Sequence, residues 1–124
     1  MKIARDNPFE GNAIKRYESG RITLIDERVI TGSVILSQEQ VITDWRPERF
    51  DELSLEDFQV FQDLSPQVAL LGTGDRLRFP QRAIMDFFAV RGIGLEVMDT
   101  AAACRTFNVL AADGRRVAAA LLML

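Results

Sequence analysis

Histidine is absent from this chain of 124 residues, and that absence removes more chemistry than any other feature of the composition. It excludes Ser-His-Asp and Cys-His relays, histidine-ligated zinc and the usual proton shuttle at neutral pH. Catalysis would depend on carboxylates, lysine, backbone amides or the side chains of Tyr17 and Cys104. The composition therefore favours a non-enzymatic protein, and it indicates neither a metal nor another cofactor.

Disulfides, long apolar runs and blocks of like charge are also missing. The single cysteine excludes an internal disulfide. The closing apolar run, Val117 to Leu124, is far shorter than the ~20 residues that span a bilayer. The net charge is −3, and nothing in its distribution favours nucleic acid as a partner. Because the N-terminus lacks an apolar targeting segment, we expect a cytoplasmic protein with no membrane span.

The hydrophobic fraction of 48% and the charged fraction of 27% are typical of one soluble globular domain. We expect an extended N-terminal arm over residues 1–20 and a single α/β domain over residues 21–124. Between residues 21 and 45, short runs of β-branched residues predict antiparallel strands, with a bulge or bend at Gly32.

The second half of the chain predicts alternating helices and strands. The expected elements are a helix over 54–64 capped by Ser54 and Asp57, a strand over 68–71, a helix that starts at Pro80 and buries Ile84, Phe87, Phe88 and Val90, a strand over 94–98, a helix over 100–112 and a strand over 116–123. Residues 118–120 are alanines, which favour a helix, but the Asp113-Gly114 stop before them leaves room only for a short segment and favours a strand. The pattern predicts a three-layer α/β domain with a mixed β-sheet, an antiparallel β-rich N-terminal half and a parallel βαβ C-terminal half.

Two of the predicted strands end in short polar turns that lead into helices, and ligands of open α/β sheets usually bind at this carboxyl edge. Glycines let successive amides point at an anion, and arginines add charge-assisted hydrogen bonds. The candidate ligand-binding or partner-binding residues are Gly72, Thr73, Gly74, Asp75, Arg76, Arg78, Asp99, Thr100, Arg105 and Asn108.

Each candidate also has a purely structural interpretation. The loop over 72–78 lacks the third glycine of a dinucleotide fingerprint and the Lys-Ser/Thr of a P-loop, so it is also typical of a tight turn. Asp99 or Thr100 can be the N-cap of the following helix. Asn108 must satisfy its amide through a neighbouring backbone or a ligand, and Cys104 is either a thiolate favoured by the helix dipole or a small buried apolar group.

The order and spacing of five segments resemble one protein family. The segments are Gly72-Thr-Gly-Asp-Arg76, Glu96-Val-Met-Asp-Thr100, Ala103-Cys-Arg-Thr-Phe-Asn-Val-Leu110, Gly114-Arg115 and Ala119-Ala-Leu121. Together they are similar to the family of mitochondrial NADH dehydrogenase (complex I) assembly factor 3, which also includes the adipogenesis-associated domain protein and uncharacterised bacterial and archaeal proteins. The resemblance is dense from about Leu70 to Leu122.

This resemblance implies a compact three-layer α/β domain with a mixed sheet and, for the mitochondrial members, a role in assembling a respiratory complex through protein contacts. It implies no catalytic residues. We therefore expect a prokaryotic protein-interaction or assembly module whose partners are other proteins, such as respiratory-complex subunits. The alternative is a binder of a small anionic ligand, or an enzyme acting on one, at the turns over 72–78 and 99–100. We expect a monomer, or a weak homodimer that pairs through an exposed edge strand.

Overall fold

The computed structural model describes residues 11–123, which form two β-sheets. The smaller sheet is antiparallel, in the order β1-β2-β3, and its strands are β1 (Ile14–Glu18), β2 (Arg21–Leu24) and β3 (Val29–Ile30). β1 replaces part of the predicted N-terminal arm. A two-residue turn containing Gly20, with φ of 85°, returns the chain so that β1 can pair with β2. The rest of the predicted arm, residues 1–10, lies outside the described range.

The larger sheet has five strands in the order β5-β4-β8-β6-β7. They are β4 (Val34–Ser37), β5 (Val41–Ile42), β6 (Val68–Gly72), β7 (Gly94–Met98) and β8 (Val117–Leu121). β4 pairs antiparallel with β5 and β8, whereas β6 pairs parallel with β7 and β8. The sheet is therefore mixed, as the sequence predicts. Gly32 lies at the bend between β3 and β4, where the chain passes from one sheet to the other.

The helices are α1 (Val60–Leu64), α2 (Arg82–Val90) and α3 (Thr100–Ala112), preceded by the 3₁₀ helices Phe50–Glu52 and Leu55–Phe58. The predicted helix over 54–64 is thus split in two. Asp57 Oδ2 accepts hydrogen bonds from the backbone N–H (2.9 Å) and the hydroxyl (3.0 Å) of Ser54, which closes a tight first turn. No helix within residues 11–123 has the length and apolarity needed to cross a membrane.

The five-stranded sheet separates two apolar cores and so makes a three-layer domain. One core lies between this sheet and the layer formed by α3 and the smaller sheet, and the other lies under α1, α2 and the 3₁₀ helices. β8 alternates between them, with Val117, Ala119 and Leu121 in the first core and Ala118 and Ala120 in the second, and Leu122 after the strand continues this pattern. Burial on both faces of a central strand overrides the helix propensity of these alanines.

One predicted core residue is in fact exposed. α2 buries Ile84, Phe87 and Phe88, but the side chain of Val90 is 78% exposed. At 100° per residue, position 90 lies roughly 110° from the middle of the buried face. The predicted burial of Phe87 and Phe88 is confirmed, and both pack with Phe58 and Phe61 in the second core.

Candidate functional site

The end of β6 and the start of α3 approach closely at the carboxyl edge of the sheet. A Cβ atom added to Gly72 would lie 2.9 Å from Thr100 Oγ1 and 3.0 Å from Thr100 Cα. The Gly72 carbonyl accepts a hydrogen bond from the backbone N–H of Leu122 at 3.0 Å. Glycine is required here for close packing, and this need explains the first glycine of the loop without any ligand.

Thr100 ties three elements together through one buried hydroxyl. Its Oγ1 donates to the carbonyl of Leu122 at 2.6 Å and accepts from the N–H of Gly74 at 2.9 Å. The N–H of Thr100 in turn donates to the carbonyl of Gly74 at 2.9 Å. Because the side chain has no solvent exposure, its hydrogen-bonding capacity is used inside the fold.

The loop after β6 is braced from within by Thr73. The Thr73 hydroxyl donates to the carbonyl of Arg76 at 2.6 Å and accepts from the N–H of Arg78 at 3.3 Å. The Thr73 N–H donates to the carbonyl of Met98 at 2.9 Å, which joins the loop to the end of β7. These bonds hold the loop in one conformation and direct its remaining side chains outward.

The two loop arginines do not act together. The Arg78 guanidinium lies over the Phe50 ring, 4.6 Å from its centroid, and one of its nitrogens is 3.9 Å from Asp51 Oδ1. Arg76 and Asp75 are exposed to solvent. Arg78 thus packs the loop against the first 3₁₀ helix, and only Arg76 remains as a cation on the outer surface of the loop.

Asp99 has the structural role that the sequence offers as one interpretation. Its Oδ1 accepts a hydrogen bond from the N–H of Ala102 at 2.8 Å, so Asp99 is the N-cap of α3. The cap satisfies an amide that would otherwise face the edge of the sheet. Gly72, Thr73, Gly74, Asp99 and Thr100 are therefore brought together, but their hydrogen bonds are made with backbone groups inside the fold.

Arg105 and Asn108 lie further along α3, beside β1. The Asn108 side chain forms two hydrogen bonds with Ile14: its Oδ1 accepts from the N–H at 2.9 Å and its Nδ2 donates to the carbonyl at 2.7 Å. The amide is satisfied by a strand backbone and attaches β1 to α3. The exposed Arg105 borders a small cleft of about 280 Å³ that Tyr17 and Cys104 also line. The structure thus places these two candidates apart from the residues at the loop.

Cys104 is buried, with 3% of its surface exposed. Burial raises the pKa of its thiol from 9.0 to about 12, against a smaller lowering effect of the Arg105 charge. A thiol with such a pKa is almost entirely protonated at neutral pH, so it is a poor nucleophile. In residues 11–123, no group of three or more histidine, cysteine, aspartate or glutamate side chains could hold a metal ion.

The structure also shows two features that the sequence interpretation missed. Leu77 and Phe79 at the outer side of the loop are 50% and 64% exposed. At the opposite, amino edge of the parallel strands, Arg91, Arg115 and Arg116 line a cleft of about 680 Å³. The sequence signal for this cleft is that Arg91 precedes Gly92 and that Arg115 and Arg116 follow Gly114. Each glycine lies between a helix and the next strand.

The family model for proteins of unknown function DUF498/DUF598 matches residues 14–122 of the chain. NADH dehydrogenase [ubiquinone] 1 alpha subcomplex assembly factor 3 from Danio rerio is 39% identical over 124 residues, which cover 98% of this chain and 70% of that protein. The protein of the same name from Xenopus tropicalis is 33% identical over 123 residues, covering 98% of this chain. The chain spans 66% of the length of the Xenopus protein and 59% of the human one.

Solved bacterial structures share the fold. A crystal structure of a Bordetella parapertussis protein superposes with a TM-score of 0.82 at 32% identity, covering 90% of this chain and 94% of that one. A Xanthomonas campestris protein, solved by NMR, gives a TM-score of 0.81 at 34% identity, with 99% and 92% coverage. A Bordetella pertussis protein described as a Mth938-like domain gives 0.81 at 27% identity, with 98% and 92% coverage. The proteins that this chain resembles thus include complex I assembly factors and a Mth938-like domain.

Proposed function

Because this chain belongs to the DUF498/DUF598 family of proteins of unknown function, whose members include assembly factors, we propose that it acts through protein contacts as an assembly module. Its partners would be subunits of a larger complex, with NADH dehydrogenase as the first candidate because of the relatives' names. No catalytic step is part of this proposal. The contact surface would be the carboxyl edge of the sheet, centred on the loop over 72–79.

The observation that carries this proposal is the exposure of Leu77 and Phe79 on a loop that is otherwise fixed. Thr73 holds the loop backbone at Arg76, Arg78 and Met98, as described above. A rigid loop that presents apolar side chains loses little conformational freedom when a partner covers them. Such pre-organised aromatic and aliphatic groups are the usual energetic centres of protein interfaces. Arg76 and Asp75, exposed beside them, would form the polar rim.

The hydrogen bonds at this edge support a protein partner over a small anion. Thr73, Gly74 and Thr100 could offer an anion there four donors, which are the two threonine hydroxyls and the amides of Thr73 and Gly74. All four groups are already paired within the fold. Apolar contact with Leu77 and Phe79 does not compete with those bonds.

The test is capture of partners by the tagged protein in its own source cells, with quantitation of NADH dehydrogenase subunits by mass spectrometry. The variant is Leu77→Ser with Phe79→Ser. The matched control is Val90→Ser with Val109→Ser, which removes two apolar side chains that are 78% and 67% exposed on helices α2 and α3. We expect the loop variant to lose at least about tenfold in subunit recovery and the control to match the unmodified protein.

Two outcomes would contradict the proposal in different ways. Equal recovery of subunits by the folded loop variant and the control would remove the loop as the contact surface. Recovery of no NADH dehydrogenase subunit by the unmodified protein would remove that complex as the partner. Thermal unfolding of each variant shows whether it is folded, so loss of capture is not confused with loss of structure.

A further inference from the structure

The amino edge of the parallel strands is built from two helix ends of the same design. α2 ends at Gly92, with φ of 71°, and α3 ends at Gly114, with φ of 80°. After α2, the N–H of Ile93 donates to the carbonyl of Phe88 at 3.0 Å; after α3, the N–H of Arg115 donates to the carbonyl of Leu110 at 3.0 Å. Both ends are the left-handed glycine cap that satisfies the last helical carbonyls through the backbone.

Backbone groups complete the cap of α3, so Arg115 and Arg116 are not needed to close it; at the end of α2, the Arg91 side chain adds one bond, to the Phe87 carbonyl. Arg91 precedes Gly92, while Arg115 and Arg116 follow Gly114, and the three side chains line one cleft. None of the three forms an ion pair with a carboxylate in residues 11–123. The residues that line the cleft include no aspartate or glutamate. Positive charge is therefore concentrated here in a chain whose net charge is −3.

Local contacts hold Arg91 and Arg116 in place. The Arg91 guanidinium stacks 3.8 Å from the centroid of the Phe87 ring and donates to the Phe87 carbonyl at 2.9 Å. The Arg116 backbone is clamped to Gln67: its N–H donates to Gln67 Oε1 at 3.0 Å, and its carbonyl accepts from the Gln67 N–H at 2.9 Å. An oriented guanidinium loses less side-chain freedom when it binds an oxyanion.

The side-chain oxygens of the two glutamines that line the cleft accept hydrogen bonds from its arginines. Gln67 Oε1 is occupied by the Arg116 N–H. The hydrogen-bonding pattern orients the Gln62 amide with its oxygen toward Arg91, where it accepts from Nε at 3.2 Å and Nη2 at 2.7 Å. The –NH₂ groups of both glutamines therefore remain as donors beside three guanidinium groups. Such a set is complementary to an acceptor-only group such as a phosphate or a carboxylate.

We infer that this cleft binds a small soluble molecule through its phosphate or carboxylate oxygens, with Arg91, Arg115 and Arg116 as the binding residues. The volume of about 680 Å³ lies within the range typical of small-molecule sites. Phe61 and Ile93 also border the cleft, but they are buried and expose little apolar surface to a ligand. The site is independent of the proposed function, because it lies at the other edge of the sheet from the loop over 72–79.

The test compares thermal unfolding of the full chain in sodium pyrophosphate, in sodium citrate and in sodium chloride at equal ionic strength. The variant is Arg115→Gln with Arg116→Gln. The control is Arg49→Gln with Arg82→Gln, which removes the same charge from two exposed arginines outside the cleft. We expect a rise in Tm of about 4 °C when the bound anion is at ten times its Kd. The rise should occur in the unmodified and control proteins and be absent from the cleft variant.

Pyrophosphate and citrate separate the two sources of oxyanion, and a specific response to either one supports the site. Equal shifts in all three proteins, or no shift in any, would overturn the inference. Backbone amide NMR of the unmodified protein gives a second measurement that needs no variant. Shifts on titration should be confined to residues 65–67, 91–93 and 114–117. Shifts centred on residues 72–79 and 99–105 would instead place the anion at the carboxyl edge and reject this cleft.

Discussion

At the carboxyl edge of the parallel strands, the polar side chains are short and bond backbone groups of the fold. Thr73 and Thr100 are buried with every hydroxyl bond made inside the fold, and Asp99 caps α3. At the amino edge, the polar side chains are long, and Arg115 and Arg116 extend from a turn whose backbone bonds are already complete. At the carboxyl edge these polar groups are paired inside the fold, and the apolar side chains of Leu77 and Phe79 are exposed beside them. At the amino edge, hydrogen-bond donors line a cleft.

The difference follows from which end of a helix meets each edge. A helix N-terminus has unpaired N–H groups, and a short oxygen-bearing side chain such as that of Asp99 satisfies one of them. A helix C-terminus has unpaired carbonyls, which a left-handed glycine satisfies through the backbone. Side chains next to such a glycine are then not required to close the helix, as with Arg115 and Arg116 after α3. A polar side chain in a loop is therefore a stronger indication of a binding site where the backbone hydrogen bonds around it are already complete.

The largest expected effect is a loss of stability when Thr100 at the carboxyl edge is changed. Thr100→Val should lower the free energy of unfolding by about 3 kcal/mol, because it leaves the N–H of Gly74 and the carbonyl of Leu122 buried without their partner. Thr100→Ser keeps the hydroxyl and is the matched control, with a smaller loss. Urea unfolding monitored by circular dichroism measures both. A Thr100→Val protein as stable as the Thr100→Ser protein would show that this edge is not held by the hydroxyl.

The second effect is a pH-dependent loss of stability, and it concerns Cys104 in the first core. Burial raises the pKa of Cys104 to about 12, so its contribution to stability is fully present below the unfolded-state pKa of 9.0 and is lost as pH rises from 9 towards 12. Between pH 8 and pH 10, the unmodified protein should lose about 1 kcal/mol more stability than Cys104→Ala. Parallel pH-dependence curves for the two proteins would mean that the thiol ionises in the folded state and that the interior is open.

The smallest effect separates the two loop arginines. Arg78→Gln should lower stability by up to about 1 kcal/mol, because it removes the contact with the Phe50 ring and the partly exposed pair with Asp51. Arg76→Gln should change stability by less than about 0.5 kcal/mol, because Arg76 is exposed. Urea titrations of the two variants, done side by side, measure this difference. If both variants are as stable as the unmodified protein, the contacts of Arg78 with Phe50 and Asp51 contribute no measurable stability to the loop.

Much of the fold was predictable from local patterns. The strands over 68–71 and 94–98 and the helix over 100–112 match β6, β7 and α3 within about a residue, because apolar runs and glycine stops mark them. The errors lie where contacts between residues far apart in the chain determine the structure. β1 is ordered by pairing with β2 and by the bonds of Asn108, which lies 94 residues away from Ile14 in sequence. Val90 is apolar, yet the rotation of α2 against the sheet leaves it exposed.

The candidate site was predictable only in part, for a related reason. The sequence correctly indicates that the turns over 72–78 and 99–100 meet, because parallel strands end at one edge. It does not show that Gly74, Thr100 and Leu122 would bond one another, since that depends on distances between β6, α3 and β8. Nor does it show that Arg91, separated by 24 residues from Arg115, lines the same cleft.

The sequence specified most of the elements, their alternation and the turn chemistry, because apolar spacing, caps and glycines act within a few residues of the chain. It also excluded histidine chemistry and an internal disulfide, because the residues are not there. The tertiary structure alone decided which polar groups remain available. A hydrogen bond between groups far apart in the chain, such as that from Thr100 to Leu122, exists only once the layers have packed. That packing closes the carboxyl edge around two threonines and leaves three arginines along one cleft at the other edge.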